Sequence, residues 1–186
     1  MAYPGQTLEN PASGERITIR QTAAQTGGEL LALDLELPAG RRVPGPLHVH
    51  PLQEERFEVI SGRLGLRVDG EEGVHEPGAV VIADAGAPHA AWNAGSEPVH
   101  VLVDFRPALR TEVAFEALAG LARDGKTTSQ GAPKDPLQLA VVLRHFEDEI
   151  HLARPPLAIQ RAILAPLAAL GRALGRRPDY PYPYAT

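Results

Sequence analysis

Hydrophobic and polar residues alternate along much of the first half of the chain. Between Leu31 and Leu37 every second residue is leucine, and the same period of two recurs at Leu64–Val68 and over residues 99–103. Successive side chains of a strand point to opposite faces, so this alternation is typical of half-buried β-strands. The apolar run at residues 79–83 predicts a further, buried strand. Short strands separated by Gly- and Pro-rich turns predict an antiparallel sandwich or barrel, of which the jelly roll is one form.

The period changes after Pro107. Apolar residues then recur at intervals of three and four, over residues 113–121, 139–150 and 159–174, which is the spacing of amphipathic helices. Strands therefore come first and helices later, a segregated order that favours a mainly β fold with a C-terminal α part. We predict an N-terminal arm at residues 1–14, a β-barrel at 15–106, and a helical extension of two or three helices at 107–186. The apolar stripes of these helices need a surface to cover, either the barrel or a dimer partner.

Composition narrows the possible function. The chain has 186 residues, 44% of them hydrophobic, and a net charge of −5 without a basic cluster, so we expect no binding to nucleic acid. There is no cysteine, which excludes disulfides and thiolate ligands. Residues 1–15 are polar, unlike a signal peptide, and the most apolar stretch, at 163–170, is too short to cross a bilayer. We therefore expect a soluble, cytoplasmic protein with no membrane partner.

The segment from His48 to Glu55 contains candidate metal ligands. His48 and His50 lie two residues apart, so on a strand both imidazoles point to one face. If Glu55 also points inward, the apolar residues that alternate with it do so too, whereas Glu54 faces solvent. A slip of one residue in register would reverse this choice. His89, after a Gly- and Pro-containing turn, supplies a further imidazole. Such a set suits one divalent ion of Fe, Mn, Ni, Cu, Co or Zn and leaves coordination positions open.

The two segments that carry these residues resemble the paired motifs of the cupin superfamily. The first motif is matched by His48, His50, Glu55 and Gly62, and the second by Gly78, Gly86, His89 and Asn93. Two positions depart from the pattern: the leading glycine of the first motif falls at Arg42, with Gly45 nearby, and the proline of the second is Asp84. Both departures concern turns rather than ligands. The resemblance implies a double-stranded β-helix barrel, with one metal ion held by the four matched His and Glu residues.

The resemblance leaves the reaction open, because one barrel fold hosts many chemistries. Our first hypothesis is a metal-dependent enzyme acting on a small organic molecule by dioxygenation. In related enzymes the motif glutamate sometimes acts as a base, so Glu55 is the candidate catalytic residue. An alternative is a non-redox isomerase, cyclase or decarboxylase, and another is a non-catalytic barrel that binds a small molecule. Cupins commonly form dimers, so we also expect a homodimer.

Two other features have both a functional and a structural interpretation. Trp92, the only tryptophan, either lines a substrate pocket or packs in a core or an interface. His145, Asp148, Glu149 and His151 cluster on the predicted middle helix. A second metal site there is conceivable, since Asp148 and His151 are three residues apart. We favour a solvated polar face for this cluster.

Overall fold

The computed structural model describes residues 2–40, 47–180 and 182. The strands are β1 (Thr7–Asn10), β2 (Glu15–Gln21), β3 (Leu31–Leu37), β4 (His48–Val49), β5 (Glu54–Ser61), β6 (Leu64–Val68), β7 (Glu71–His75), β8 (Val80–Ala83), β9 (His89–Asn93), β10 (Val99–Arg106) and β11 (His151–Leu152). They form two antiparallel sheets, one of six strands in the order β1-β2-β3-β10-β5-β8 and one of five in the order β11-β4-β9-β6-β7.

The alternating residues of these strands build the core. The leucines of β3 and the valines of β10 are buried, and their cross-strand partners are buried with them, as in the pair Val101 and Leu35. Leu64 and Leu66 of the other sheet belong to the same hydrophobic cluster. The apolar faces of the two sheets therefore meet, as in a jelly-roll barrel. The predicted fold class, an antiparallel barrel followed by helices, is confirmed.

Within the described residues, the part of the chain after β10 forms three helices. They are α1 (Thr111–Arg123), α2 (Pro136–His145) and α3 (Leu157–Ala173). Asp135 caps α2, since its side chain accepts a hydrogen bond from the backbone N–H of Leu137 at 2.9 Å. Helices α2 and α3 pack closely at Gly171, where a Cβ atom would lie 2.8 Å from Val141 Cγ2. No helix in this part of the molecule is both long and apolar enough to cross a membrane.

Two strands lie outside the segment predicted as the barrel. Strand β1, within the predicted arm, pairs with β2 at the edge of the six-stranded sheet. Strand β11 lies in the helical extension and pairs with β4, placing His151 opposite Val49. The extension therefore adds a strand to the barrel as well as covering it. The boundaries of the three predicted segments stay a prediction.

Other expectations need correction. The helical pattern over residues 139–150 does not continue to its end, because α2 stops at His145 and the chain then turns into β11. The apolar run at 79–83 is buried on one face only: β8 is an edge strand, and Val80 and Ile82 are close to half exposed on its outer face, whereas Ala83 is buried in the core. The departures from the motif at Arg42 and Gly45 lie outside the described residues.

Candidate metal centre

The structure brings the four predicted ligands together inside the barrel. His48 begins β4, His50 follows the end of that strand, Glu55 lies in β5 and His89 begins β9. Strands β4 and β9 are neighbours, with His48 directly opposite His89. All four side chains are buried, and each offers a ligand atom within 4.8 Å of the other three. They form a compact cluster that could hold a metal ion.

The register of β5 decides which glutamate faces this cluster. Glu55, Phe57 and Val59 are buried, whereas Glu54 and Arg56 on the other face are only partly buried. Glu55 therefore points into the barrel, as the alternation of apolar and charged residues indicated. The Glu55 carboxylate lies beside the imidazoles, and the Glu54 carboxylate lies on the opposite face of the strand.

Hydrogen bonds fix the orientation of two imidazoles. His89 Nδ1 donates to the Ala87 carbonyl at 2.8 Å, and His50 Nδ1 donates to the Glu149 carbonyl at 2.5 Å. A carbonyl oxygen only accepts, so Nδ1 carries the proton in both rings. The Nε2 atoms then face Glu55 Oε2, at 2.7 Å from His89 and 3.3 Å from His50. This is the arrangement of a ligand imidazole whose other nitrogen is anchored to the protein.

The same contacts set the charge of the carboxylate. Burial by itself would raise the pKa of Glu55, but hydrogen bonds from His50 and His89 outweigh it and hold that pKa well below its usual range. Burial would lower the pKa of His89, yet its hydrogen bond with Glu55 raises that pKa above its usual value. The cluster thus keeps an ionised carboxylate buried, which requires positive charge beside it.

The donors fit a first-row divalent ion. Two ligand atoms on opposite sides of such an ion, each about 2.1 Å from it, are separated by about 4.2 Å, close to the spread of the cluster. Three imidazoles and one carboxylate are ligands that Fe, Mn, Co, Ni, Cu and Zn all accept. The set therefore agrees with the predicted ligands, while the choice of ion and the role of each residue stay predictions.

An ion pair between Arg110 and Glu149 of the extension stabilises the position of His50, and the sequence analysis did not identify it. Arg110, the N-cap of α1, contacts the buried carboxylate of Glu149, with Nε 2.9 Å from Oε1 and Nη2 3.2 Å from Oε2. Glu149 is the residue whose carbonyl accepts from His50. Our interpretation of Glu149 as part of a solvated face was wrong, because the chain leaves the helical path before it. No local spacing links residues 110 and 149.

The cluster opens onto a cavity of about 90 Å³, which we call the site cavity. Its lining includes His48, His50, Glu55, Phe105 and Glu15. Glu15, at the start of β2, was not among the predicted site residues. The inward phase of Ile17 and Ile19, both buried, was the signal that could have placed it here.

A second space adjoins the first and is formed largely by the helical extension. This apolar chamber has a volume of about 270 Å³ and also reaches His48. Its apolar lining includes Leu118, Leu139, Val142, Leu143, Phe146 and Ile150. His48, Leu118 and Ile150 line both spaces, so the chamber borders the site cavity.

The remaining candidates lie away from the site. His89, Ala91 and Asn93 are the buried residues of β9, so Trp92 lies on the outer face of the sheet. There it covers Gly65, where a Cβ atom would lie only 2.1 Å from the indole. Trp92 thus packs against the sheet and does not line the site cavity or the apolar chamber. The acids and histidines at 145–151 form no metal cluster among the described residues.

Comparisons with known proteins agree with this architecture. A family model described as "Cupin domain" matches residues 34–105, a segment that ends before α1. A structure described as a predicted oxalate decarboxylase from Thermotoga maritima is 18% identical, with a TM-score of 0.50, over 56% of this chain and 92% of its own. This likeness shows the same fold.

Two further solved structures align over part of the chain. An RmlC-like cupin from Shewanella frigidimarina is 21% identical, with a TM-score of 0.49, over 61% of this chain and 95% of its own. The protein TT1209 from Thermus thermophilus is 30% identical, with a TM-score of 0.40, over 43% of this chain and 74% of its own. A search of curated proteins found no significant match.

Proposed function

We propose, on the premise that residues 34–105 form a cupin domain, that this chain is a metal-dependent enzyme acting on a small organic molecule with an apolar body. The observation that carries this proposal is the position of the buried cluster. His48, His50 and Glu55 line a cavity, so the donors are accessible to a ligand and are not sealed in the core. Concave, mostly apolar sites with a few convergent polar groups are typical of small-molecule binding.

Each part of the site has a separate task in this proposal. His48, His50, Glu55 and His89 would hold the ion, which when bound supplies Lewis acidity and, if redox-active, an electron path. Phe105 and Ile17 give the site cavity apolar walls that exclude water from it. The apolar chamber takes the body of the substrate. Because the matched family segment ends at residue 105, the extension supplies this part of the specificity.

Dioxygenation is the first reaction that we propose, with Glu55 as a candidate base. Dioxygenation is compatible with the apolar lining of the chamber and with a metal site whose ligand atoms are nitrogen and oxygen. A reaction without redox change, such as isomerisation, cyclisation or decarboxylation, would use the same ligands. A cytoplasmic location belongs to the same proposal.

Homodimer formation is a further part of the proposal. Ile60, Val80 and Ile82 are 41%, 48% and 46% exposed on the outer face of the six-stranded sheet, where Val80 and Ile82 lie opposite Glu58 and Arg56. Replacing Ile82 by Glu is expected to yield a monomer, whereas the same change at Ile163 of α3 is expected to leave the dimer intact. Sedimentation equilibrium of both variants and the parent measures the oligomeric state.

The activity is tested by incubating metal-loaded protein with small aromatic and diketone-like compounds, with and without dioxygen. We expect oxygen uptake and product with the parent protein and with His100→Ala, whose imidazole pairs with Asp34 outside the cluster. His50→Ala is expected to give neither. Product formed equally without dioxygen would select the non-redox reactions. Saturable binding without product, across all metals, would contradict an enzymatic role.

A further inference from the structure

Glu15 is a buried carboxyl group without a partner, and it lines the site cavity. It is 4% exposed and stands at the start of β2, opposite Asn10 of β1. Its backbone N–H donates to Ser13 Oγ at 3.3 Å. Across residues 2–40, 47–180 and 182, its carboxyl group has neither a hydrogen bond nor an ion pair. Among the described residues, Thr127 Oγ1 is the one fully enclosed side-chain atom without a hydrogen bond, so the Glu15 carboxyl group is not sealed in the core. It lines the site cavity, where a ligand can supply the hydrogen-bond partner that buried polar side chains usually have.

The two buried glutamates of the site cavity, Glu15 and Glu55, differ in their partners. Glu55 receives hydrogen bonds from two imidazoles and is held as a carboxylate. Glu15 has no cation beside it, and burial raises the pKa of its carboxyl group to about 8. At neutral pH Glu15 is therefore mainly a neutral acid, which can donate a hydrogen bond.

The other titratable groups facing this cavity do not change that conclusion. They are Glu9 on β1 and the cluster residues His48, His50 and Glu55. Glu9 forms an exposed ion pair with Arg16, whose Nε lies 3.3 Å from Oε1. Among the described residues, then, no free cation faces Glu15 to hold it ionised.

We propose that Glu15 is a substrate-binding residue of this enzyme, which donates a hydrogen bond from its carboxyl group to an oxygen atom of the substrate. The substrate class is a small molecule with a carbonyl or other acceptor oxygen next to an apolar body. The oxygen lies between Glu15 and the metal cluster, and the apolar body extends past His48 into the apolar chamber. This assignment rests on the proposed function, since it takes the site cavity as the substrate site.

The test compares two probes of similar size, acetophenone and ethylbenzene, of which only the first has an acceptor oxygen. Metal-loaded parent protein, Glu15→Gln and Glu15→Leu are titrated with each probe by calorimetry. We expect Glu15→Leu to weaken acetophenone binding about 2- to 10-fold, the range for one hydrogen bond, and to leave ethylbenzene unchanged or tighter. Glu15→Gln, whose amide still donates, is expected to retain most of the affinity for acetophenone.

Infrared spectroscopy gives a second readout that does not depend on the Leu variant folding. The parent at pH 7 should show the C=O band of a protonated carboxyl group, missing from Glu15→Gln, and acetophenone should shift this band while ethylbenzene does not. Equal binding of acetophenone to parent and Glu15→Leu would overturn the proposal. So would a band that acetophenone does not shift at its solubility limit.

Metal content and turnover, measured on the same samples, separate this inference from the proposed function. All three proteins should carry the same amount of metal, because Glu15 is not among the clustered donors. A parent that binds no metal would refute the proposed function. A parent that binds metal and turns over a substrate, with no effect of either Glu15 variant on acetophenone, would refute the role of Glu15 alone.

Discussion

Replacing Arg110 by Gln should weaken metal binding at a site that Arg110 does not touch. The Arg110 guanidinium contacts the Glu149 carboxylate and the carbonyl of His145, which holds the turn between α2 and β11 in place. That turn presents the Glu149 carbonyl to His50 Nδ1. Without the Arg110 guanidinium, the buried Glu149 carboxylate has no cation and keeps only the backbone N–H of residue 110, at 3.3 Å from Oε1, so the turn is expected to open and release the imidazole.

The magnitude follows from the burial of the two partners. Removing one member of a buried ion pair costs about 3–5 kcal/mol, but the Arg110 side chain is 47% exposed while that of Glu149 is 3% exposed. Solvent screening at the exposed end reduces the expected loss in the free energy of unfolding to about 1–3 kcal/mol. Loss of an outer contact to a ligand imidazole weakens metal affinity by about 10–100-fold.

Urea denaturation and a competitive zinc titration measure the two effects. The control is Arg63→Gln, which removes an arginine from an exposed pair with Glu76 and should change stability by less than about 0.5 kcal/mol. Glu149→Gln keeps the carbonyl and leaves no buried charge, so it should lose less stability than Arg110→Gln. If Arg110→Gln matched Arg63→Gln in both assays, the link between the extension and the cluster would be refuted.

Three further predictions concern stability. Glu15→Gln should be more stable than the parent by a margin that grows as pH rises from 4.5 to 8. Over that interval the folded parent keeps the Glu15 proton and the unfolded parent releases it, so the free energy of unfolding of the parent falls by up to roughly 3–5 kcal/mol. The variant has no such proton and does not lose this stability. Urea midpoints measured across that pH range check this, and parallel curves for the two proteins would contradict it. Gly65→Ala should cost about 1–3 kcal/mol, because the new methyl group overlaps the Trp92 ring, and tryptophan fluorescence should report the displacement during the same titration. Phe146→Ala should lower the free energy of unfolding by about 3–5 kcal/mol and enlarge the apolar chamber, because Phe146 is fully buried. The control, Ile163→Ala, changes a residue that is 54% exposed and should lower it by under about 1 kcal/mol. Similar losses in the two variants would show that Phe146 is not a core residue.

The parts of the fold that follow a local period were predictable from the sequence. The alternating leucines of Leu31–Leu37 identify a half-buried strand without knowledge of its partners, and the same alternation placed Glu55 rather than Glu54 inside. The helices α1 and α3 follow from spacings of three and four residues. In these segments the backbone period and the burial pattern agree, so tertiary packing did not override the local signal.

What the sequence did not reveal depends on contacts between distant residues. The pattern at 139–150 looks helical throughout, yet pairing of His151–Leu152 with β4 draws the chain out of the helix. That pairing buries Glu149 against Arg110, a contact that joins residues 39 positions apart. Val80 and Ile82 are exposed because β8 is an edge strand. An apolar run in the sequence does not show whether its strand lies at the edge or in the middle of a sheet.

Metal content tests most directly whether His48, His50, Glu55 and His89 form one metal site. Untagged protein, His48→Ala and His100→Ala would each be equilibrated with Mn, Fe, Co, Ni, Cu or Zn, desalted and measured by elemental analysis. We predict near-stoichiometric metal in the parent and in His100→Ala, and almost none in His48→Ala. Equal metal in all three proteins, or none in the parent after reconstitution with every ion, would contradict the account.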